Sequence, residues 1–444
     1  MTRLRSRSWL LVAFVVALSV RAAAEERPII EITPGKAQAF HVAVQLFRDD
    51  LTPPDPERAT KLLESIEHGL DFNGVLLPLK REAFLGPDTT TELAGGRRYD
   101  CGDWTQSGAN ALVEGVIDGG GGEIEVSYRV WDTARCVRLL RARLARPAGD
   151  LHRLGAALAD DVVKAFTGTR GAADTEIAFI STRTGHREVY VMDADGRNVR
   201  AATKGEAIKA FPGWRPDGKG ILYTTYLKNG FPDVFLTSRG QAKAGRILRH
   251  VLTELPKYRG VFSPDGEQIA LVASVDGAAE IFRAPRKGRP LRLTNNDEVI
   301  DVAPSWSPDG KQIAFVSDRS GSPQIYVMDS DGRNQRRISY QSSYSASPAW
   351  SPDGRWIAYG VRTEEAEFDL YLIDPTGEVN VPLMVHRRND QYPSWSPDGR
   401  KVVFSSDRRG RADLYVVDVN SRRLQRLTKG AKENLSPAWG PFPD

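Results

Sequence analysis

The sequence contains few cysteines and histidines, two residue types that are common in catalytic and metal-binding sites. Among its 444 residues there are two cysteines and six histidines, and the histidines are scattered singly. Neither Gly-x-Ser-x-Gly, which marks a hydrolase nucleophile, nor the zinc-binding His-Glu-x-x-His occurs. The pattern Asp193-x-Asp195-Gly196 lacks the spacing and the glutamate of a calcium loop, so it predicts a hairpin turn. We therefore expect no catalytic residue, no metal and no cofactor, and the sequence favours a binding protein.

Long hydrophobic runs are missing apart from one near the amino terminus. Trp9–Val20 is twelve residues long, whereas a helix needs about 20 to cross a bilayer. Arginines precede this run, and the small residues Ala22–Ala24 follow it. This arrangement predicts a secretory signal peptide over residues 1–24, cleaved near Ala24, and no transmembrane segment.

The exported chain has no excess of either charge. The full sequence has 61 Lys+Arg and 57 Asp+Glu, and residues 1–24 contain four arginines and no acid. Cleavage leaves 57 of each, so the formal net charge falls to zero. Because nucleic-acid binding depends on a basic surface, we expect no nucleic-acid partner.

A short motif recurs through the carboxy-terminal part of the chain. It reads P-S-W-S-P-D-G at 304–310 and 393–399, P-A-W-S-P-D-G at 348–354, and in related forms at the other copies. Its aromatic residues are Trp214, Phe262, Trp306, Trp350, Trp395 and Trp439, with spacings of 48, 44, 44, 45 and 44. A period in the forties with several short strands per repeat is typical of β-propeller blades. The sequence predicts an all-β six-bladed propeller over residues 176–444.

The two ends of the repeat array predict how the ring closes. The first repeat opens with the strand Ile177–Ser181 and has no motif of its own, whereas the last motif copy, at 436–440, has no strands after it. We expect the carboxy-terminal strand to complete the first blade, because this leaves no sheet edge unpaired.

Residues 37–168 lack the repeat and predict a small α/β domain, joined to the propeller by a linker at 169–175. Apolar spacing indicates helices at Pro56–Leu70 and Asp150–Phe166. Strands are predicted at Phe72–Leu77, Asn110–Ile117, Glu123–Val130 and Val137–Ala145. Both cysteines, Cys101 and Cys136, lie in this domain. In an exported chain they are candidates for a disulfide, and two separate thiols are the alternative.

A short isoleucine-rich segment, residues 25–36, precedes this domain. Its residues Ile29, Ile30, Glu31 and Ile32 can form one strand, and proline and glycine bracket them. Such a segment can add an edge strand to the sheet of a partner. Pairing with its own domain is the alternative.

A set of polar residues is predicted near the mouth of the propeller channel. Each lies five positions before a motif aromatic, at the start of the predicted innermost strand. They are Lys209, Lys257, Asp301, Ser345, Asp390 and Asn434. We expect them to form a polar docking ring for a protein partner. The alternative is that they cap loops and pair with one another.

Three further motifs lie in the amino-terminal half. They are I-E-I-T-P-G at 30–35, D-W-T-Q-S-G-A-N-A-L-V-E-G at 103–115, and V-S-Y-R-V-W-D-T at 126–133. Together with the export signal and the six repeats, they make the whole exported chain resemble the TolB family, periplasmic propeller proteins of the Tol–Pal system. The propeller repeats alone are less specific, because peptidases and sugar lyases also have them. Cys101 and Cys136 are not part of the family pattern.

The resemblance implies a non-enzymatic adaptor in the periplasm that supports outer-membrane integrity and envelope constriction at division. It implies that residues 25–36 contact a TolA-like inner-membrane protein and that the propeller face binds a Pal-like lipoprotein. The chain would be a monomer within that complex. Two alternatives stay open: a TolB-like paralogue with another partner, and a propeller enzyme acting on an envelope substrate.

Overall fold

The computed structural model describes residues 40–90, 101–228, 230–239, 245–247, 255–286, 288–296, 298–362, 367–430 and 432–443. The predicted signal peptide and the segment 25–36, including Ile29–Ile32, lie outside these residues. Two regions follow each other along the described chain. A small α/β region comes first and a six-bladed β-propeller second, which confirms the predicted fold class.

The α/β region is a mixed sheet covered by two helices. Its elements are β1 (Phe40–Val44), β2 (Arg48–Asp49), α1 (Pro56–Asn73), β3 (Leu76–Pro78), α2 (Cys101–Gln106), β4 (Ala111–Gly120), β5 (Glu123–Asp132), β6 (Val137–Pro147) and α3 (Leu151–Thr167), with short 3₁₀ turns at Arg81–Ala83 and Ala148–Asp150. The strand order is β3-β1-β4-β5-β6, and β2 pairs with β4. The apolar sides of α1 and α3 pack on this sheet and form its core with residues such as Leu62, Val113 and Val162.

Helix α1 extends further than its sequence pattern predicts. The carboxylate of Asp55 caps its amino end by accepting the N–H of Glu57 at 3.0 Å, and Gly74, with φ of 72°, ends it. The strand predicted at Phe72–Leu77 was therefore wrong in its first residues, because Phe72 forms part of the last helical turn. Phe72 packs against the propeller. The helical spacing of apolar residues along α1 does not reveal this contact with another domain.

Cys101 and Cys136 form a disulfide in this structure. It joins the first residue of α2 to the turn between β5 and β6, and the two Cα atoms are 5.7 Å apart. The bridge closes a loop with a sequence separation of 35 residues. It therefore ties α2 to the hairpin that forms one side of the α/β sheet.

The propeller consists of six four-stranded antiparallel sheets. Blade 1 has β7 (Glu176–Ser181), β8 (Glu188–Asp193) and β9 (Arg200–Ala201). Blade 2 has β10 (Lys209–Trp214), β11 (Gly220–Lys228), β12 (Phe231–Ser238) and β13 (Arg246–Ile247), and blade 3 has β14 (Lys257–Phe262), β15 (Gln268–Val275), β16 (Ala278–Pro285) and β17 (Leu291–Arg292). Blade 4 has β18 (Asp301–Trp306), β19 (Gln312–Ser317), β20 (Gln324–Asp329) and β21 (Arg336–Arg337), and blade 5 has β22 (Ser345–Trp350), β23 (Ile357–Arg362), β24 (Phe368–Ile373) and β25 (Asn380–Met384). Blade 6 has β26 (Asp390–Trp395), β27 (Lys401–Ser406), β28 (Asp413–Asp418) and β29 (Leu424–Arg426), and the last strand is β30 (Asn434–Trp439).

The ring closes through β30 as the sequence predicts. This strand pairs antiparallel with β7, so that Asn434 faces Ser181 and Trp439 faces Ile177, and it becomes the innermost strand of blade 1. The first blade thus combines residues from both ends of the propeller sequence. Opening the ring would require breaking this ladder.

The S-P-D-G turns are held by their own side chains. In blade 4, Ser307 Oγ donates to Asp309 Oδ1 at 2.6 Å, and the N–H of Lys311 donates to the same oxygen at 3.1 Å. Gly310 has φ of 70°, which a residue with a Cβ rarely adopts. The motif is therefore structural, and it fixes the turn after the innermost strand in the blades that contain it.

The α/β domain packs on the propeller face where the innermost strands end. Phe72 and Ala156 share an apolar cluster with Met192, Val416 and Trp439 of blades 1 and 6. Polar contacts surround this cluster: Arg423 to Asp71 at 2.8 Å, Lys401 Nζ to the Asn73 carbonyl at 3.1 Å, and Arg400 to Thr167 Oγ1 at 3.0 Å. Every hydrogen bond between described residues of the two domains lies on this face. We call the opposite face of the propeller, which the described residues of the α/β domain do not contact, the uncovered face.

Candidate partner-binding site at the propeller channel

Six innermost strands surround a central channel. They are β30, β10, β14, β18, β22 and β26, and each begins at the uncovered face. The third to fifth residues of each of these strands line a cavity of about 290 Å³. The channel is therefore formed by all six blades, and it is the natural place to look for a partner-binding site.

The six predicted ring residues are the first residues of the innermost strands, as the sequence indicates, and we call them the strand-start residues. All six are at most 3% exposed. Each has a partner within the propeller: Lys209 with Glu188, Lys257 with Asp233, Asp301 with Arg319, Ser345 with Gln324, Asp390 with Arg408, and Asn434 with Ser181 and Asp413.

This geometry matches the alternative in which these side chains pair inside the protein. A side chain at most 3% exposed offers almost no surface for a partner to contact. Buried charges such as Lys257 and Asp390 require their counter-charges, because an unpaired buried charge is strongly destabilising. The docking role of the strand-start residues stays a prediction.

The residues that line the channel lie two positions further along each strand. There, each innermost strand has a bulge, seen as a register shift against the next strand. The residue at the bulge has φ between 48° and 57°. We call these six the bulge residues: Phe211, Arg259, Ala303, Ser347, Tyr392 and Ser436.

Sequence reasoning missed the bulge residues, although a signal for them is present. In five of the six strands the bulge residue is followed by proline, and in blade 3 it is followed by Gly260. Proline has no N–H to give to a ladder, so inside a strand it marks an edge or a bulge. The proline two positions before five of the six motif aromatics could have identified the channel-lining residue that precedes it.

Arg259 is the only charged residue among the described residues that line the channel cavity. Its guanidinium stacks on Phe211 with 4.3 Å to the ring centroid, and Nη2 lies 3.4 Å from Ser347 Oγ. Burial lowers the pKa of Arg259, and the phenols of Tyr392, Tyr258 and Tyr344 partly offset this effect. No carboxylate of the described residues lies within ion-pair distance of this cation.

Exposed apolar side chains surround the uncovered mouth of the channel. Ile208 and Ile300 directly precede innermost strands and are each 51% exposed. Tyr340 and Val385 lie in the loops before β22 and β26 and are 67% and 61% exposed. The tip of the β11–β12 hairpin adds Phe231, which is also exposed. Large apolar side chains grouped around a concave surface are typical of protein interaction sites.

A second cluster of polar groups lies at the domain junction. His68 of α1 and His152 of α3 each place Nε2 2.9 Å from Asp195 Oδ2, in the turn between β8 and β9. Burial would raise the pKa of Asp195, but the two imidazoles outweigh it and hold this pKa well below its usual range. The atoms of His152, Asp193 and Asp195 lie within 4.8 Å of one another, close enough to consider a metal.

Nearby positive charge disfavours a cation at this cluster. Arg197 Nε lies 3.4 Å from Asp195 Oδ2, and Nη1 lies 3.3 Å from His152 Nδ1. Because the carboxylate of Asp195 is already paired with two imidazoles and a guanidinium, the cluster fits a clamp that joins the domains. The turn itself is a hairpin, as the D-x-D-G pattern predicts.

Comparison with known proteins decides the family. The family described as TolB beta propeller domain matches residues 163–443, and the TolB amino-terminal domain matches residues 28–139. A Tol-Pal system protein TolB from Anaeromyxobacter dehalogenans is 38% identical over 438 residues, covering 98% of this chain and 99% of that protein. This chain belongs to the TolB family. A further TolB homologue, from Chlorobium luteolum, is 29% identical over 387 residues, 87% of this chain and 86% of that protein.

A solved structure supports the TolB fold over both domains. The crystal structure of TolB from Acinetobacter baumannii matches with a TM-score of 0.73 at 24% identity and covers 93% of this chain and 99% of that chain. At this identity the match shows the arrangement of the fold alone. Within the described residues, no helix has the length and apolar composition needed to cross a membrane.

Proposed function

We propose that this chain is a periplasmic adaptor of a Tol–Pal system. In this role it binds a Pal-like lipoprotein through the uncovered propeller face and a TolA-like protein through residues 25–36. The complex would support outer-membrane integrity and envelope constriction during division. Family membership over nearly the whole chain supports the general assignment, since the relative from Anaeromyxobacter dehalogenans is named a Tol-Pal system protein.

The observation that carries the proposal is the uncovered channel mouth with its exposed apolar side chains. Ile208, Ile300, Tyr340 and Val385 are each more than half exposed on a face that the α/β domain does not contact. Burying one such side chain in an interface contributes roughly 1.5–3 kcal/mol. A few of them, centred on a channel, supply a standard interaction surface for a protein partner.

The amino-terminal part of the proposal rests on sequence. Residues 25–36 contain Ile29, Ile30, Glu31 and Ile32, which suit addition of one strand to a partner's sheet. Signal cleavage near Ala24 would place this segment at the start of the exported chain. Binding of a TolA-like domain to chains that start at Glu25 and at Ala37 is the comparison that tests this part.

The enzyme alternative receives no support from the channel lining. The residues around the cavity include no histidine, aspartate or glutamate, and Arg259 is their one charged residue in the described chain. General acid–base catalysis and metal binding would need such groups within hydrogen-bond reach of a substrate. A TolB-like paralogue would bind a different protein partner through the same propeller face, so the two hypotheses differ in the partner and not in the binding surface.

Calorimetric titration with the Pal ectodomain of the same organism tests the proposal. The exported chain, Glu25 to Asp444, is expected to give saturable one-to-one binding. The double variant Ile208→Ser and Val385→Ser should weaken binding by at least about tenfold, or about 1.4 kcal/mol. Leu291→Ser is the control, because Leu291 is 42% exposed on the outermost strand of blade 3. Equal losses in both variants, or no binding by the parent chain, would contradict the proposal.

A further inference from the structure

Arg259 differs from Arg319 and Arg408, two other arginines that stack on rings inside the propeller. Arg319 stacks on Tyr326 and also lies 3.0 Å from the buried carboxylate of Asp301. Arg408 stacks on Tyr415 and lies 2.9 Å from Asp390. These arginines have both a ring and a counter-charge within the protein.

Arg259 has the ring but not the counter-charge. Its side-chain contacts in the described structure are the face of Phe211 and the hydroxyl of Ser347, which lies on blade 5, two blades along the ring from blade 3. Its backbone N–H is fixed separately by Thr224 Oγ1 at 3.0 Å, so the bulge holds the residue in place. A guanidinium that is held in a partly dehydrated channel without a carboxylate partner favours the binding of an anion.

The groups around Arg259 match a carboxylate. The guanidinium offers several N–H donors, and Ser347 accepts one of them, so the hydroxyl proton of Ser347 remains available to donate. Tyr392 and Ser436 line the same cavity at the equivalent positions of blades 6 and 1. Guanidinium and hydroxyl donors together bind a planar carboxylate in the way that arginine is best suited to do.

The position of Arg259 makes it accessible from the uncovered face. It is the third residue of β14, so it lies about 7 Å along the strand from its start, at roughly 3.3 Å per residue. A loop whose tip enters the mouth could bring the carboxylate of an aspartate or glutamate to this depth. The exposed apolar residues and the single cation would then bind different parts of the same loop.

We infer that the channel of this chain is a carboxylate-binding site centred on Arg259, and that its occupant is an acidic side chain of the protein docked on the uncovered face. This inference rests on the proposed function for the identity of the docked protein. The anion site itself does not depend on the proposed function, because the residues that form it all belong to the propeller.

Two titrations separate the site from the partner. The first uses a tetraglutamate peptide as a probe, with the exported chain and its Arg259→Met variant. Methionine keeps most of the side-chain volume and removes the charge. The parent chain should bind the peptide at millimolar concentration, with affinity that falls as salt rises, and Arg259→Met should not bind it. Lys311→Ala is the control, since it removes an exposed positive charge at the P-D-G turn of blade 4.

The second titration uses the Pal ectodomain. Arg259→Met should weaken binding at least about tenfold, Arg259→Lys should weaken it less, and Lys311→Ala should not change it. If the parent chain binds Pal and Arg259→Met leaves this binding intact, the inference is overturned and the proposed function is kept. Peptide binding that depends on Arg259, in a chain that does not bind Pal, would keep the anion site and overturn the adaptor. Peptide binding that is absent, or equal in parent and variant, would overturn the anion site.

Folding of the variant can be judged independently. Because Arg259 has no carboxylate partner in the described structure, Arg259→Met should keep or raise the thermal midpoint of unfolding. Arg408→Met provides the contrast, because it leaves the buried carboxylate of Asp390 unpaired and should lower the midpoint. A lower midpoint for Arg259→Met, similar to that of Arg408→Met, would indicate a structural role and contradict the inference.

Discussion

Replacing Trp439 by alanine should separate the two domains, whereas the same change at Trp395 should not. Both indoles belong to the repeated motif and are buried to a similar degree, at 7% and 8% exposure. Trp439 lies in the cluster shared by the domains, with its ring 6.5 Å from that of Phe72. Trp395 lies in a cluster formed by propeller residues such as Phe404.

The two changes should cost similar total stability but act in different places. Truncation of a buried Trp to alanine costs roughly 3–5 kcal/mol through lost burial and the cavity left behind. The Trp439 indole also donates to Thr175 Oγ1 at 2.8 Å, in the connection between the domains, and a hydrogen bond of this kind contributes about 1 kcal/mol. The Trp395 indole donates to the Ala349 carbonyl at 2.9 Å, within the propeller.

Hydrogen exchange of helix α1 measures the difference directly. Trp439→Ala should increase exchange in the last turn of α1, which contains Phe72 and Asn73, because that turn loses its packing partner. Trp395→Ala should lower the unfolding midpoint of the propeller and leave α1 unchanged. Equal protection of α1 in the two variants would refute the view that Trp439 couples the domains.

Three other perturbations give distinct outcomes. Replacing Cys101 and Cys136 by serine should destabilise the chain by about 4 kcal/mol from the loop entropy, and unfolding midpoints unaffected by the change or by reductant would contradict this. Lys257→Met should cost roughly 3–5 kcal/mol in denaturant unfolding, because Asp233 loses the ammonium 2.8 Å away, whereas unchanged stability would show that the pair is dispensable. Burial raises the pKa of Asp160 to about 7, so the free energy of unfolding should fall as pH rises from about 4 to 7, by at most about 1.4 kcal/mol per pH unit. The Asp160→Asn variant should lose this pH dependence. Parallel pH profiles of the free energy of unfolding in parent and variant would contradict the prediction.

The sign of the Asp160 effect follows from proton binding. The folded pKa lies above the ordinary value of 3.8, so the folded state holds a proton that the unfolded state has already released between these two values. Stability is therefore largest at the acid end of the window and levels off above pH of about 7. The carboxylate of Asp160 accepts hydrogen bonds from Asn73 and from the backbone N–H groups of Ala173 and Asp174, which limits the shift.

The sequence by itself determined the number of blades, the order of the domains and the closure of the ring. These features depend on local signals that repeat: the spacing of the motif aromatics, the S-P-D-G turns and the missing motif in the first repeat. Each motif is recognised within a few residues and its spacing is counted along the chain, so these features can be predicted from the sequence without a structure. The cysteine pair is similar, because the predicted export and an even cysteine count already favoured a bridge.

Only the tertiary structure decided which polar residues face the channel. The strand-start residues and the bulge residues are two positions apart, and a bulge between them changes which side chain points inward. Whether a charge is paired is equally non-local: Lys257 meets Asp233 and Asp301 meets Arg319, whereas Arg259 meets no carboxylate in the described chain. Such partners come from other strands and blades, so their identity depends on how the sheets are packed and not on the spacing of residues along the sequence.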